Sequence, residues 1–254
     1  MILAVDAGNS NIVLGCMEGL EIRHTLRLKT DRAMSAAGYT VTLQAALAQA
    51  GFSVAGFEGG ILSSVVAAVT EPLRQALSAL LSGPVLVVGK TAKTTLPLCI
   101  DQPETIGADL IAAAEGALAQ YAPPLVLIDM GTATTFSVLD KSGAFLGGAI
   151  APGVQLGAEA LTQRTGLPMT ELSAPQSPLS HSTTDCLRSG IIYGAAAIVD
   201  GVLDRLETAL GTPVTAIATG GLARCVIPHC RRPVTLDDQL LLRGLAVMYR
   251  HEMT

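Results

Sequence analysis

Two stretches of the 254-residue chain end an apolar run in an aspartate, skip one residue and reach a glycine. Leu125, Val126, Leu127 and Ile128 lead to Asp129, Met130 and Gly131, with Thr132, Ala133, Thr134 and Thr135 behind them. Met1, Ile2, Leu3, Ala4 and Val5 lead to Asp6, Ala7 and Gly8, with Asn9, Ser10 and Asn11 behind. A short continuous apolar run reads as an interior strand. The glycine lets backbone approach an anion closely, because no Cβ intervenes. Hydroxyls and amides supply donors, and the carboxylate can hold a metal ion. That edge suits phosphate oxygens accompanied by a cation. One Asp-x-Gly is a common turn signal. Two copies half a chain apart, each at a strand end, point to two related subdomains facing each other across a phosphate-binding cleft.

Other residues invite chemistry less directly. Gly107-Ala108-Asp109-Leu110 closes a loop marked by Pro103, and an Ala-rich helix follows. A carboxylate there can cap the helix and complement its dipole, or act as a base. Gly220-Gly221 follows an apolar strand; it is a tight turn, or a place where a nucleoside base lies against backbone. Gly89-Lys90-Thr91 lacks the phosphate-loop glycine five residues earlier, where Pro84 stands, and Thr94-Thr95-Leu96-Pro97 does not read as the required helix. Cys225, His229 and Cys230 have poor spacing for zinc and no evident fourth ligand. The five cysteines are irregularly spaced and odd in number, which argues against a disulfide framework.

Hydrophobic pattern and turn residues outline the strands and helices around these motifs. Strands are expected over residues 2–5, 12–17 and 20–28, a meander turned at Glu18-Gly19. Helical spacing covers residues 39–50. A buried strand spans residues 59–65. A helix starts at Thr70-Glu71-Pro72 and stops at Gly83-Pro84, with a strand at residues 85–88. After Pro123-Pro124 the strand–aspartate–meander pattern repeats, with strands at 125–128, 136–139 and 144–150 around Asp140-Lys141-Ser142-Gly143. A helix containing Leu156 and Leu161 follows, then a Ser/Pro/Thr-rich loop over residues 170–182. One or two helices cover residues 183–210, a strand residues 214–219 and a closing helix residues 240–250. The boundary at Pro123-Pro124 divides the chain into an N-terminal lobe, 1–122, and a C-terminal lobe, 123–254.

Composition fits a globular protein of two ordinary cores: half the residues are hydrophobic and Trp is absent. A net charge of −5 argues against a nucleic-acid partner. No spanning segment stands out from the apolar background, and no basic leader with a cleavage site opens the chain. A cytoplasmic protein without membrane partners is the expectation.

On these motifs the chain resembles the type III pantothenate kinases, within the superfamily of sugar kinases, actin and heat-shock chaperone ATPases. Asp6-Ala7-Gly8-Asn9-Ser10 is similar to the family's first phosphate motif, Gly107-Ala108-Asp109 to its substrate motif and Asp129-Met130-Gly131-Thr132-Ala133-Thr134 to its second phosphate motif. Ala151-Pro152-Gly153, Leu167-Pro168, Thr219-Gly220-Gly221 and Leu242-Arg243-Gly244-Leu245 follow in the family's order. The resemblance implies an α/β fold of two ribonuclease-H-like lobes. Each is a mixed five-stranded sheet with flanking helices, and the nucleotide cleft lies between them.

The resemblance also implies ATP-dependent phosphorylation of pantothenate, the first step towards coenzyme A. Asp109 would take the hydroxyl proton. Asp6, Ala7, Gly8, Asn9, Ser10, Asn11, Ile12 and Val13 would bind the ATP phosphates, with Mg²⁺ at Asp6. Thr132 would contact ATP, and Gly220 and Gly221 its nucleoside. Asp129 would hold a monovalent cation, K⁺ or NH₄⁺. Ile100, Gly107, Ala108, Asp109 and Leu110 would form the pantothenate site, joined by Thr183 from the neighbouring subunit of a homodimer.

Two positions depart from the family. An Arg follows its Gly-x-Asp, where this chain has Leu110. A Tyr stands three residues before its loop proline, where this chain has Ile100. Both normally help hold pantothenate, so a kinase of another small hydroxy compound and a catalytically weak nucleotide-binding regulator are the competing expectations. Arg164 and Arg188 are the candidate replacement cations.

Overall fold

The computed structural model describes residues 1–254. The chain divides into two compact units. One comprises Met1–Leu96, Asp101–Gln120 and Gln239–Thr254; the other comprises Pro97–Ile100 and Tyr121–Asp238.

The first unit is built on Ile2–Ala7 (β1), Asn11–Glu18 (β2), Glu21–Lys29 (β3), Gly59–Ser64 (β4) and Val85–Val87 (β5), in the order β3-β2-β1-β4-β5. β1 pairs antiparallel with β2 and parallel with β4. Its alternate residues therefore enter two cores. Leu3, Val5 and Ala7 pack with Tyr39, Leu43 and Leu47 of Ala36–Gln49 (α1) and with Val69, Leu73 and Leu77 of Ala67–Leu80 (α2). Ile2 and Ala4 pack with Ile111 and Ala112 of Ala108–Leu118 (α3) and with Leu242, Leu245 and Met248 of a C-terminal helix. The edge strand β3 carries Arg23, His24, Arg27 and Lys29, charges that discourage pairing with another chain.

α2 starts at Ala67, earlier than the expected start at Thr70, and places Pro72 inside the helix. The proline forgoes one backbone hydrogen bond. The buried stripe of Val69, Leu73, Ala76 and Leu77 holds the helix across that gap. After β5 the chain turns back at residues 88–92 without forming a helix, so Gly89-Lys90-Thr91 is a turn.

The second unit repeats the topology. Leu125–Met130 (β6), Ala133–Leu139 (β7) and Phe145–Pro152 (β8) form the meander, and Thr215–Thr219 (β9) runs parallel to β6. A fifth strand absent from the sequence reading, Thr235–Leu236 (β10), pairs parallel with β9. Two residues are too few for a hydrophobic period to register. The order is β10-β9-β6-β7-β8. Val154–Thr165 (α4) follows β8. Thr183–Leu210 (α5) lays Ile192, Ala196, Val199 and Leu203 over Val126, Ile128, Phe136, Val138 and Ala218. Ala223–Val226 (α6) adds one turn beyond β9.

By length and composition alone α5 is apolar enough to cross a membrane, although Asp185, Arg188, Asp200, Asp204 and Arg205 interrupt it and it holds no uncharged run of 18 residues. The mean hydropathy of its best 18-residue window is 1.5, and a third of that window is buried within the chain. Its inner stripe is core, and the Gly- and Ala-rich remainder raises the average.

The closing helix, Leu240–Glu252 (α7), belongs to the first unit, although the boundary at Pro123-Pro124 placed it in the second half. Backbone contact explains this. A Cβ on Gly244 would lie 1.7 Å from the Ala112 carbonyl oxygen, and one on Gly116 would lie 2.1 Å from that of Leu240. Only a glycine on each helix lets α3 and α7 approach so closely. Gly244→Ala is expected to destabilise the protein by about 1–3 kcal/mol through overpacking. Urea unfolding measures it, and an unchanged midpoint would show that the helices separate freely.

Candidate active site

Asp6 is the penultimate residue of β1, beside Ser63 on β4, whose hydroxyl donates to Asp6 Oδ1 at 3.0 Å. The chain then turns, with Gly8 N–H donating to the Asn11 carbonyl at 2.9 Å. Thr30, just past β3, clamps that turn. Its hydroxyl donates to the Gly8 carbonyl at 2.7 Å and its N–H to that of Ser10 at 3.0 Å. Ala7 and Ile12 are buried, Asn9 and Ser10 exposed. The turn thus presents backbone and small polar side chains outward while its apolar residues anchor it. One carboxylate beside such a turn suits Mg²⁺, which is commonly held by one or two carboxylates plus substrate phosphates.

Asp109 occupies the first turn of α3, behind Gly107 at the N-cap. Its Oδ1 accepts from Leu110 N–H at 2.8 Å. A Cβ on Gly107 would come within 2.3 Å of that oxygen and 3.7 Å of Val65 Cγ1. The Gly-x-Asp spacing therefore has a steric reason: any side chain at 107 would displace the carboxylate. Val65 follows β4 and donates its N–H to the Ala7 carbonyl at 3.2 Å, so the Asp109 turn and the Asp6 turn share one end of this sheet. Burial pushes the Asp109 carboxyl above its ordinary value, against the lowering effect of its backbone hydrogen bonds. A half-buried carboxyl of raised pKa, bonded only to backbone, is suited to accept a proton.

In the second unit Asp129 is the penultimate residue of β6, between Thr135 on β7 and Thr219 on β9. Its Oδ1 lies 3.7 Å from where a Cβ on Gly131 would sit and 2.5 Å from one on Gly220, whose φ is +96°. The glycines thus form a cradle that any Cβ would fill. Gly153, before α4, sits against the carbonyls of Gly131 and Thr132, at 2.6 and 2.2 Å from its absent Cβ. Asp129, Gly131, Thr132, Gly153, Gly220 and Gly221 are brought together, and Thr132 and Gly221 are exposed.

The sequence as a whole decides the family. A model of type III pantothenate kinase matches residues 2–205. A type III pantothenate kinase from Exiguobacterium sp. is 38% identical over 250 residues, 98% of each chain. The chain belongs to the type III pantothenate kinase family. Solved structures of more distant proteins share its fold. Component A of (R)-2-hydroxyglutaryl-CoA dehydratase from Acidaminococcus fermentans has a TM-score of 0.61 at 13% identity, over 100% of this chain and 99% of that one. A ROK hexokinase from Thermus thermophilus has a TM-score of 0.55 at 14% identity, over 98% and 99%.

Within this type III pantothenate kinase, Thr183 is exposed at the start of α5. It borders an apolar cavity of about 620 Å³ with Met130, Pro152, Gly153, Gly190 and Gly194. Ile100 is set by a short pairing of Pro97–Ile100 with β8, in which Phe145 N–H donates to the Pro97 carbonyl and Cys99 N–H to that of Phe145. The Ile100 side chain lies 3.5 Å from where Gly147 would carry a Cβ. Arg188 is committed elsewhere. It donates to the Ser173 carbonyl at 3.1 Å, to Ser173 Oγ at 2.6 Å and to Asp185 at 3.2 Å. It holds the loop before α5 rather than offering a spare cation, which leaves Arg164, exposed near the C-terminus of α4, as the unoccupied candidate. Cys225, His229 and Cys230 do not converge. His229 stacks edge-on against Tyr193, and burial pushes the Cys230 thiol up to about 12. Sequence reasoning missed Ser63 and Thr30, whose only signal is their position at strand ends beside the Asp6 turn.

Proposed function

We propose that the protein transfers the γ-phosphoryl group of ATP to the primary hydroxyl of pantothenate, giving 4'-phosphopantothenate for coenzyme A synthesis in the cytoplasm. The observation that carries this reading is Asp109, a carboxylate of raised pKa fixed by backbone at the first turn of α3, in a chain of this family. Asp109 accepts the hydroxyl proton as the oxygen attacks the γ-phosphorus, and the bond from that phosphorus to the bridging oxygen breaks, releasing ADP. The backbone from Asp6 to Val13 and the Thr132 hydroxyl hold phosphate oxygens in line. Gly220 and Gly221 let the nucleoside lie against backbone. Gly107, Ala108, Leu110 and Ile100 shape the acceptor site, with Thr183 contributed by a second copy. Mg²⁺ at Asp6 and K⁺ or NH₄⁺ at Asp129 supply charge neutralisation when bound. Phosphoryl transfer depends on such positioning and neutralisation more than on covalent chemistry.

Coupled ATP turnover across a panel of small alcohols, with magnesium and potassium, tests the reading. Pantothenate should give the highest kcat/KM; a faster alternative alcohol would replace it as substrate.

The protein acts as a homodimer in this proposal. Support comes from the apolar cavity between α4 and α5, flanked by exposed Leu156, Leu161 and Ile198. Such a surface is costly to leave in water. Light scattering at micromolar concentration should give twice the chain mass; a monomer would remove the proposed role of Thr183 in the neighbouring site.

A further inference from the structure

Thr135 Oγ1 is the one buried side-chain nitrogen or oxygen in the structure with no hydrogen-bond partner. A buried hydroxyl left unpaired is costly, and native proteins rarely leave one without a water or an ion to satisfy it. The position is specific. Thr135 is the antiparallel register partner of Asp129, so the two side chains emerge on the same face of the sheet. The facing pairs on that side, Leu125 with Leu139 and Leu127 with Ser137, are buried, so the unpaired hydroxyl sits at the polar end of an otherwise closed row. Beyond it, on β8, Thr135 is opposite Ile150, which has no polar atom to offer.

We infer that Thr135 Oγ1 is a ligand of the monovalent cation that Asp129 is proposed to hold. This rests on the cation reading given above and adds a ligand to it. A threonine hydroxyl offers two acceptor lone pairs and carries no charge. Hard cations of this kind are satisfied by several oxygens, of which one carboxylate and neutral partners keep the site weak enough to exchange. Thr135 is poised to be one such neutral oxygen. The same hydroxyl explains the order Thr-Ala-Thr-Thr after Gly131: Thr134 is buried on the α5 side, whereas Thr135 faces the side of Asp129.

The test compares wild type, Thr135→Val and Thr135→Ser as full-length proteins, with Mg²⁺ and a non-hydrolysable ATP analogue present throughout. Melting temperature is followed as KCl replaces choline chloride at constant ionic strength. Valine keeps the shape and removes the hydroxyl. Wild type should show a saturable potassium-dependent rise. Thr135→Val should need about tenfold more potassium for half the effect, the equivalent of one lost oxygen contact. In choline alone it should melt no lower than wild type, since the unpaired hydroxyl is gone. Thr135→Ser should bind potassium as wild type does. Equal potassium dependence in wild type and Thr135→Val would overturn the inference while leaving the Asp129 site intact. A lower melting temperature for Thr135→Val in choline and potassium alike, at unchanged affinity, would assign the hydroxyl to a structural water and also overturn it. No potassium response in wild type would remove the cation reading itself. Should Thr135→Val not fold, Thr135→Ala carries the same comparison.

Discussion

Replacing Asp109 with asparagine is expected to lower kcat by about 10²–10⁴-fold, leave ATP affinity unchanged and raise the melting temperature. The first two effects follow from its place. In the proposed reaction Asp109 is the base and the backbone of residues 6–13 holds phosphate, so replacing the carboxylate at the first turn of α3 removes proton acceptance and leaves that backbone in place. The third follows from burial, which holds its pKa above the unfolded value. A group of that kind contributes stability below its unfolded pKa and loses it as pH rises through the folded pKa. At a pH above the folded pKa the ionised carboxylate is therefore a net cost that asparagine does not carry. The same shift in the unliganded protein places the acid limb of the kcat/KM profile above the ordinary carboxylate range, because the base must be ionised to work. Near-normal turnover in Asp109→Asn would reduce this residue to a partner of the helix dipole. A fall in melting temperature would show that its backbone hydrogen bond outweighs the burial of charge.

The second large effect concerns the acceptor. Pantothenate carries a carboxylate, and Leu110 and Ile100 offer it nothing charged. A charge-assisted hydrogen bond contributes about 1.5–3 kcal/mol, which corresponds to about tenfold to a hundredfold in affinity. Leu110→Arg is therefore expected to lower the KM for pantothenate by about that factor. The structure narrows the compensating alternatives. Arg188 is tied to Ser173 and Asp185, so Arg188→Ala should loosen the loop before α5, lowering stability as well as activity. Arg164 has no such commitment, and Arg164→Ala tests whether it serves the acceptor instead. In that case KM rises sharply in Arg164→Ala and Leu110→Arg does little. A low wild-type KM that responds to neither change would show that the carboxylate is held by another group.

The two sheets were legible because each opens with an apolar strand that stops at an aspartate and returns through a glycine turn. That pattern is local, a short continuous apolar run closed by a turn signal, so single-sequence reading recovers it. The Asp6, Asp109 and Asp129 turns were legible for the same reason, since each is a short motif at a strand or helix end. What escaped depends on partners distant in sequence. α7 joins the first unit because Gly116 and Gly244 meet backbone to backbone, more than 120 residues apart along the chain. Pro97–Ile100 belongs with β8 through two hydrogen bonds that no apolar period announces. Thr135 looked like one hydroxyl among several, and only register shows that it faces Asp129 while Thr134 does not. The start of α2 was misplaced because Thr70 and Pro72 imitate a helix N-terminus, and the buried stripe of the folded helix overrode them.

The most direct test of the account is transfer of label from γ-labelled ATP to pantothenate by the purified wild-type protein, with magnesium and potassium, followed by mass analysis of the labelled product. Label is expected on the primary hydroxyl of pantothenate, appearing in step with ADP and lost in Asp109→Asn. Label released only as inorganic phosphate, or carried by pantothenate at an equal rate in Asp109→Asn, would contradict it.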